Sequence, residues 1–319
     1  MPDHIEAAFS NIYKTSAWGT DGNGSGQGSS LEAAAGASRI LYHVLMHLDI
    51  RRVADCPCGG MLWQTSLLRM LAVAKPKLRF LGVDVVSSVV EANRRITPPL
   101  HNARFIHSDL AATPLPRGFF LPRDAASASS TAFAAGTRSL IFSRDALQHN
   151  SLHDVWRILA NFARSDATHL LLGSYPKSTS GRPACASPTG SAANVKYWPR
   201  NCSGNIDVPS GGYFDIDLAQ PPFALRPVRT YLEGTPDGKA LYLISMATLR
   251  HRLAHRDGTA MGTADEPAPR QRRRAMSPRG RQHQTQQARQ PPTPQPHANV
   301  RLSWVHDLWG GQAHGALLG

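Results

Sequence analysis

The stretch Val53–Trp63 constrains the fold more than any other part of the chain. An apolar strand ends in Asp55, a turn with Gly59 and Gly60 follows, and an apolar helix begins near Leu62. Such a strand–turn–helix unit places a helix N-terminus and free backbone N–H groups against an anionic or carboxylate-bearing ligand. The G-x-G-x-x-G fingerprint of dinucleotide-binding proteins is absent, so the unit does not favour a nicotinamide cofactor.

Two further acids follow predicted strands. Asp84 ends the strand that starts at Leu78, and Asp109 comes two residues after the strand Ala103–His107. An acid at the carboxyl end of the second strand can accept hydrogen bonds from both hydroxyls of a ribose. The chain is therefore predicted to bind a nucleoside.

Strands alternate with helices along most of the chain, which is typical of a parallel, doubly wound sheet. The fold class is accordingly α/β, with a Rossmann-like, mostly parallel seven-stranded sheet and an antiparallel C-terminal strand pair. Capping boxes at Ser29–Glu32 and Ser88–Glu91 predict two helix starts, and Ser151 a third. The predicted strands are Ile50–Ala54, Lys77–Asp84, Ala103–His107, Ser139–Ser143, Thr168–Gly173, Phe223–Leu232 and Ala240–Leu249.

Composition divides the chain into three parts. Residues 1–30 contain a glycine-rich run that is anchored by aromatic residues, and we interpret them as a lid over a ligand rather than a flexible linker. Residues 31–250 form the folded domain, with low-complexity insertions near 122–137 and 177–203. Residues 251–319 have ten arginines, no lysine and four acids, and are too poor in apolar side chains to fold alone.

Composition also bounds the class of protein. Four cysteines suit a reducing compartment better than a disulfide framework, and no apolar run is long enough to span a bilayer. The N-terminus does not read as a secretory signal, so we expect a cytoplasmic protein without membrane contact. Cys56, Cys58, Cys185 and Cys202 lack the paired spacing of a zinc site, and no metal is predicted.

Three sequence stretches together resemble a little-characterised group within the class I S-adenosylmethionine-dependent methyltransferases. They are Trp18-Gly19 with Ser25-Gly26-x-Gly28-Ser29, Asp55-x-Pro57-Cys58-Gly59-x-x-x-Trp63, and Arg144-Asp145-x-Leu147-Gln148-His149. The similarity covers roughly residues 8–250, apart from the insertions. The group usually has an acid at the position of Gly60.

The resemblance implies a set of cofactor contacts. Asp55 and Gly59 would line the methionine part of S-adenosylmethionine, Asp84 the ribose and Asp109 the adenine. The full set of predicted cofactor-binding residues is Trp18, Asp55, Cys58, Gly59, Asp84, Asp109 and Arg144.

Asp145 and His149 follow the fourth strand, where a base for methyl transfer to oxygen or nitrogen would lie, and they are the predicted catalytic residues. A nearby acid would orient the imidazole. The alternative for Arg144 and Asp145 is that they pair with each other and only shape the pocket.

Two functional hypotheses follow. The first is S-adenosylmethionine-dependent methyl transfer to an oxygen or nitrogen of a small molecule. The second is a methyltransferase-like fold without catalysis that binds nucleic acid or protein through its arginine-rich tail, a view favoured by Gly60 and by the run Arg270–Arg274. That run is also typical of nuclear-localisation segments.

Overall fold

The computed structural model describes residues 4–96, 99–116, 118–121, 138–176 and 204–256. These residues contain seven strands in one sheet, in the order β3-β2-β1-β4-β5-β7-β6. The strands are β1 Ile50–Asp55, β2 Arg79–Asp84, β3 Ala103–His107, β4 Arg138–Ser143, β5 His169–Ser174, β6 Arg229–Leu232 and β7 Ala240–Ser245.

The first five strands are parallel, whereas β7 runs antiparallel to both β5 and β6. The predicted fold class is thus confirmed, including the antiparallel pair near the C-terminal end of the domain. Strand order reverses between β1 and β4, and the carboxyl ends of parallel strands at such a switch point form the usual ligand crevice of α/β sheets.

Helices cover both faces of the sheet. They are α1 His4–Thr15, α2 Ala35–His47, α3 Leu62–Ala74, α4 Ser87–Arg94, α5 Leu152–Ala163 and α6 Met246–Ala254. Successive residues of a strand point to opposite faces, so Val53 of β1 packs with α2 and α3 while Ala54 packs with α5. Strands that are buried on both faces are rich in consecutive apolar residues, as in β4 and β5, whereas β1 also contains Arg51 and Arg52.

The N-terminal residues form a helix that the sequence reading overlooked. In α1, Ile5 and Ile12 are buried, and Ile5 joins the same apolar cluster as α5. The spacing Ile5, Phe9, Ile12 is the i, i+4, i+7 signal of one apolar helix face. The glycine-rich run that follows α1 folds into two short 3-10 turns, Asp21–Gly24 and Gln27–Ser29.

Both predicted capping boxes were wrong. The hydroxyl of Ser30 accepts from the Ala33 N–H within a turn, and α2 begins only at Ala35. Helix α4 begins at Ser87 after Val86, without a side-chain cap. The prediction at Ser151 is confirmed, because its hydroxyl accepts from the Asp154 N–H at the start of α5.

The C-terminal boundary of the folded domain also differs from the prediction. Strand β7 ends at Ser245, which caps α6, so residues 246–249 are helical rather than extended. Arg252 of α6 donates to the carbonyls of Pro222 and Phe223, so the folded part continues beyond residue 250. The predicted insertions 122–137 and 177–203, and the rest of the tail, lie outside the described residues.

Within the described residues, no helix combines the length and the apolar character needed to cross a membrane.

Candidate functional site

One cavity at the carboxyl edge of the sheet brings together all nine residues that the sequence singled out. They are Trp18, Asp55, Cys58, Gly59, Asp84, Asp109, Arg144, Asp145 and His149. The empty space between the lining residues is about 900 Å³, with the open solvent at its mouth included.

Asp84 at the end of β2 is anchored by the backbone around it. Its Oδ2 accepts from the Gly59 N–H at 2.9 Å, and its Oδ1 accepts from the Val86 N–H at 3.0 Å. Burial raises the pKa of Asp84, while these backbone N–H groups act in the opposite direction. Each carboxylate oxygen has a second lone pair, so both can still accept a hydroxyl from a ligand.

Asp55 at the end of β1 is buried and has a different partner. Its Oδ2 accepts from the Gln64 side-chain amide at 3.1 Å. Burial raises the pKa of Asp55 to about 8, with the nearby Asp84 adding to the rise and the Gln64 hydrogen bond opposing it. A cationic ligand group beside Asp55 would favour its ionised form.

Asp109 and Cys58 complete the predicted cofactor side. Asp109 Oδ1 accepts from the Ala111 N–H at 2.7 Å, so this acid also shapes its own turn. The Cys58 thiol is buried, and burial followed by the charges of Asp84 and Asp55 raises its pKa well above the ordinary value. A neutral, buried thiol is a poor nucleophile, and Cys58 therefore contributes shape rather than reactivity.

The glycine-rich loop docks directly onto the turn after β1. The Ser25 hydroxyl accepts from the Gly60 N–H at 2.8 Å and is hydrogen-bonded to the Tyr13 hydroxyl at 2.7 Å. Asn23 donates its side-chain amide to the Gly60 carbonyl at 2.8 Å. These contacts extend the cover of the cavity from α1 across the loop.

Gly60 is required by this close approach. A Cβ at that position would lie 2.5 Å from the Asn23 Cβ and 2.7 Å from the Gly22 carbonyl oxygen. An acid at this position, as in the group that the sequence resembles, would therefore displace the loop. The departure at Gly60 thus has a structural reason within this chain.

Arg144 and Asp145 line the cavity and belong to a network of buried charges. Arg144 binds the Glu233 carboxylate with contacts of 2.8 to 3.1 Å and donates to the Gly28 carbonyl at 2.8 Å. Asp145 Oδ2 lies 2.8 Å from the Lys239 ammonium and 3.2 Å from Arg144. Arg144 therefore ties the N-terminal loop to the end of β6.

This network decides the protonation of Asp145. Burial would raise the pKa of Asp145, but Arg144 and Lys239 outweigh it and hold the pKa at about 2. A carboxylate so strongly paired is a weak base, and its geometry agrees with the alternative in which Arg144 and Asp145 shape the pocket.

His149 is held in one tautomer by a backbone carbonyl. Its Nδ1 lies 2.7 Å from the Gly212 carbonyl oxygen, which can only accept, so Nδ1 carries the hydrogen. Nε2 then has a lone pair as long as the ring is neutral, and burial lowers the pKa of His149, which favours that form. The Gly212 carbonyl, rather than the expected acid, orients the imidazole.

Aromatic rings surround the imidazole. The Trp18 ring lies 4.4 Å from the His149 ring, and the Tyr213 ring lies 5.4 Å from it on centroid distances. Trp18 also contacts Phe9 of α1 at 5.9 Å, edge to face. Trp18 is thus both part of the packing and part of the cavity wall.

Several residues of the site were not found from the sequence. Tyr13, Gln64, Gly212, Glu233 and Lys239 come from five separate segments, and only folding brings them to one place. A signal existed for Gln64, which lies in the first turn of the helix after the glycine turn and on its buried side.

No group of three or more His, Cys, Asp or Glu side chains suited to a metal ion is found among the residues that the structure describes. Cys56 and Cys58 are buried free thiols, and Cys185 and Cys202 lie outside the described ranges.

Comparison with known proteins gave structural neighbours only. No family model and no curated protein matches the chain. The structural neighbours include human N-acetylserotonin methyltransferase in complex with SAM (12% identity, TM-score 0.44, 74% of this chain and 58% of that chain). They also include PigF with SAH (13% identity, TM-score 0.42, 75% of this chain and 62% of that chain). A third is the methyltransferase domain of bacterial CtHen1-CN (14% identity, TM-score 0.33, 44% of this chain and 66% of that chain).

The chain spans at most 66% of the length of these three neighbours. Identities this low bear on the fold alone, and the chemistry of the site rests on this chain's own residues.

Proposed function

We propose that the protein transfers a methyl group from S-adenosylmethionine to an oxygen or nitrogen of a small molecule. The observation that carries this proposal is the meeting of Asp55, Asp84 and Asp109 in one cavity with a histidine whose Nε2 is available. An acid after each of three adjacent parallel strands suits a ligand with a nucleoside and a cationic end.

The residues present fit this cofactor. Asp84 has acceptor capacity left beyond its backbone partners for the ribose hydroxyls, and Asp109 lies at the neighbouring strand end for the adenine. Asp55 lies beside the glycine turn, where the amino-acid end would bind. When bound, S-adenosylmethionine would supply an electrophilic methyl carbon on its sulfonium, with the thioether as the leaving group.

The chain's own contribution is placement and proton removal. The cover formed by α1, Trp18 and the glycine-rich loop would exclude water from the reacting atoms once it closes, and an acceptor that fits beneath it is a small molecule. His149 Nε2 receives the proton that an attacking hydroxyl or amine loses, and its Nδ1–H stays on the Gly212 carbonyl. Asp145 stays ionised and stabilises the imidazolium through space.

Calorimetric titration with S-adenosylmethionine, S-adenosylhomocysteine and NADH tests the cofactor. We expect the two adenosyl compounds to bind and NADH not to bind. Absence of binding by both adenosyl compounds would refute the proposal.

Transfer of labelled methyl from S-adenosylmethionine to a small-molecule extract tests the reaction. His149→Gln should retain cofactor binding and lose at least about a hundredfold in transfer rate. Full activity of His149→Gln would exclude His149 as the base.

The competing hypothesis, a binding protein that acts through its arginine-rich tail, has the composition of residues 251–319 in its favour. Cofactor binding without methyl transfer to any component of the extract would favour it.

A further inference from the structure

Gln64 lines the cavity and has a buried side-chain oxygen. The residue lies in the first turn of α3, its side chain lines the cavity beside Asp55 and Cys58, and it is only 6% exposed. Its Oε1 has no hydrogen-bond partner within the part of the chain that the structure describes. A buried acceptor without a partner costs free energy, and at a ligand cavity it points to a donor on the ligand.

The orientation of the Gln64 amide follows from its neighbours. Nε2 donates to the Cys58 carbonyl oxygen at 3.0 Å and to Asp55 Oδ2 at 3.1 Å. The Cys58 carbonyl can only accept, so the NH₂ group must face it, and the opposite orientation would place two acceptors together. The oxygen is therefore the atom left for a ligand.

The positions of Gln64 and Asp55 indicate which ligand group could donate hydrogen bonds to both side chains. Gln64 Oε1 and the Asp55 carboxyl belong to two side chains that are hydrogen-bonded to each other, so a single ligand group can reach both. A hydroxyl has one hydrogen to donate, whereas an ammonium has three and carries the positive charge that suits a buried carboxyl. The pair is therefore matched to an ammonium group.

We propose that Gln64 Oε1 accepts a hydrogen bond from the α-ammonium of the cofactor's amino-acid end, and that Gln64 determines the preference for ligands with that group. This inference rests on the proposed function, because it requires an adenosyl cofactor in the cavity. Through its two donated bonds, Gln64 also holds Asp55 and the Cys58 carbonyl in place around the same group.

The test compares two ligands that differ only at the ammonium. One is S-adenosylhomocysteine, and the other is its deamino analogue, which has hydrogen in place of the ammonium and keeps the thioether and the carboxylate. The quantity measured is the ratio of their dissociation constants by calorimetry. The wild-type protein should prefer S-adenosylhomocysteine by about tenfold or more.

Gln64→Met keeps the length of the side chain and removes the acceptor. Its preference for S-adenosylhomocysteine should fall by about tenfold, with the change arising mainly in the affinity for S-adenosylhomocysteine. If Gln64 served only in packing, its replacement would lower the affinity for both ligands equally and leave the ratio of dissociation constants unchanged. That result would overturn the proposal.

Gln64→Glu provides a second, independent measurement if Gln64→Met does not fold. Burial beside Asp55 favours the neutral carboxylic acid, whose O–H can donate to the Cys58 carbonyl while the other oxygen accepts, so the preference for the ammonium ligand should equal that of the wild type. A reduced preference would overturn the proposal.

Gln148→Met is the matched control. Gln148 is also a buried glutamine whose amide donates to an acid of the site, Asp145 at 3.2 Å, but its side chain does not line the cavity. The preference of Gln148→Met for S-adenosylhomocysteine over the deamino analogue should match that of the wild type. A preference lowered as far as in Gln64→Met would overturn the proposal. If the wild type binds neither ligand, the proposed function fails. If the wild type binds both ligands equally, only the inference about Gln64 fails.

Discussion

The acids at the ends of β1 and β2 have different partners and suit different ligand groups, although both end a buried strand. Asp84 accepts two backbone N–H groups, and it therefore holds the glycine turn and the start of α4 together. Asp55 has a side-chain partner, Gln64, and a pKa raised to about 8 by burial. The first acid is suited to bind hydroxyls, and the second is suited to respond to a cation.

Asp84→Asn should weaken binding of S-adenosylhomocysteine by about 2–4 kcal/mol, because two hydrogen bonds to a charged acceptor are lost or weakened. Calorimetry measures the change. Asp49→Asn is the control, since Asp49 is an exposed acid that pairs with Lys75 away from the cavity. Wild-type affinity in Asp84→Asn would assign the ribose contact to another residue.

Asp55 should make the stability of the ligand-free protein fall as pH rises. In the unfolded chain this carboxyl loses its proton near pH 3.8, whereas in the native protein it keeps the proton up to about pH 8. Between these values the native state binds more protons than the unfolded state, so each rise in pH lowers the stability that Asp55 contributes.

Thermal unfolding of the wild type and of Asp55→Asn at pH 5 and pH 8 measures this effect. The melting temperature of Asp55→Asn relative to that of the wild type should be higher at pH 8 than at pH 5. A constant difference would show that Asp55 is already ionised at pH 5.

Helix α1 and the glycine-rich loop form the cover of the cavity, but they differ in how they are attached. Helix α1 buries Ile5 in the main apolar cluster. In contrast, residues 20–26 of the loop are held on the Gly60 turn by the hydrogen bond that Asn23 donates and by the one that Ser25 accepts. Hydrogen bonds that are exposed or partly exposed contribute little net stability, so the loop is the part suited to open.

Deletion of residues 20–26 should leave the melting temperature of the ligand-free protein almost unchanged and abolish its increase with S-adenosylhomocysteine. The deletion can be joined, because a Cβ at Gly26 would lie 3.3 Å from the Trp18 Cβ and the two ends are therefore close. Thermal unfolding with and without ligand measures both effects. A large loss of stability without ligand would mean that the loop belongs to the core.

Ser25→Ala should reduce, without abolishing, the rise in melting temperature that S-adenosylhomocysteine causes. The substitution removes only the hydroxyl that contacts Gly60 and Tyr13.

The whole folded unit includes α6, which closes the face of the sheet that carries α5. Arg252 lies 5.6 Å above the Trp156 ring, and Arg256 lies 4.5 Å above the same ring. Leu249 is fully buried in the shared apolar cluster. The arginines nearest the tail therefore belong to the folded part of the chain.

Truncation after Arg256 should preserve the melting temperature, whereas truncation after Leu249 should lower it, because the second variant lacks the contacts of Arg252 with the 222–223 backbone. Differential scanning calorimetry compares the two variants. Equal stability of both would show that α6 beyond Leu249 adds nothing to the fold.

The tail should add nucleic-acid affinity that depends steeply on salt, since arginine–phosphate contacts release counterions. Fluorescence anisotropy with a labelled oligonucleotide should show binding by the full chain at low salt and much weaker binding by the variant that ends at Arg256. Equal binding by both proteins would place any nucleic-acid affinity in the folded domain.

The amino-acid sequence by itself determined the sheet and the edge at which the site lies. Local patterns carry this information, because apolar residues lead up to the carboxyl end of a buried strand and an acid marks that end, as at Asp55 and Asp84. In a parallel sheet such ends meet at one edge, so the predicted residues that follow β1, β2, β3 and β4 could be placed together without knowing any contact, whereas Trp18 was added from the family resemblance.

Tertiary structure alone decided the partners of these residues. Asp145 is paired with Lys239, His149 with the Gly212 carbonyl, and Arg144 with Glu233, across separations of 63 to 94 residues. Periodicity and capping signals extend over a few residues, and no local rule states which distant group reaches a buried charge. The protonation states of Asp55, Asp145 and His149 depend on those distant groups and on burial, and for this reason the chemistry of the site emerges only from the folded chain.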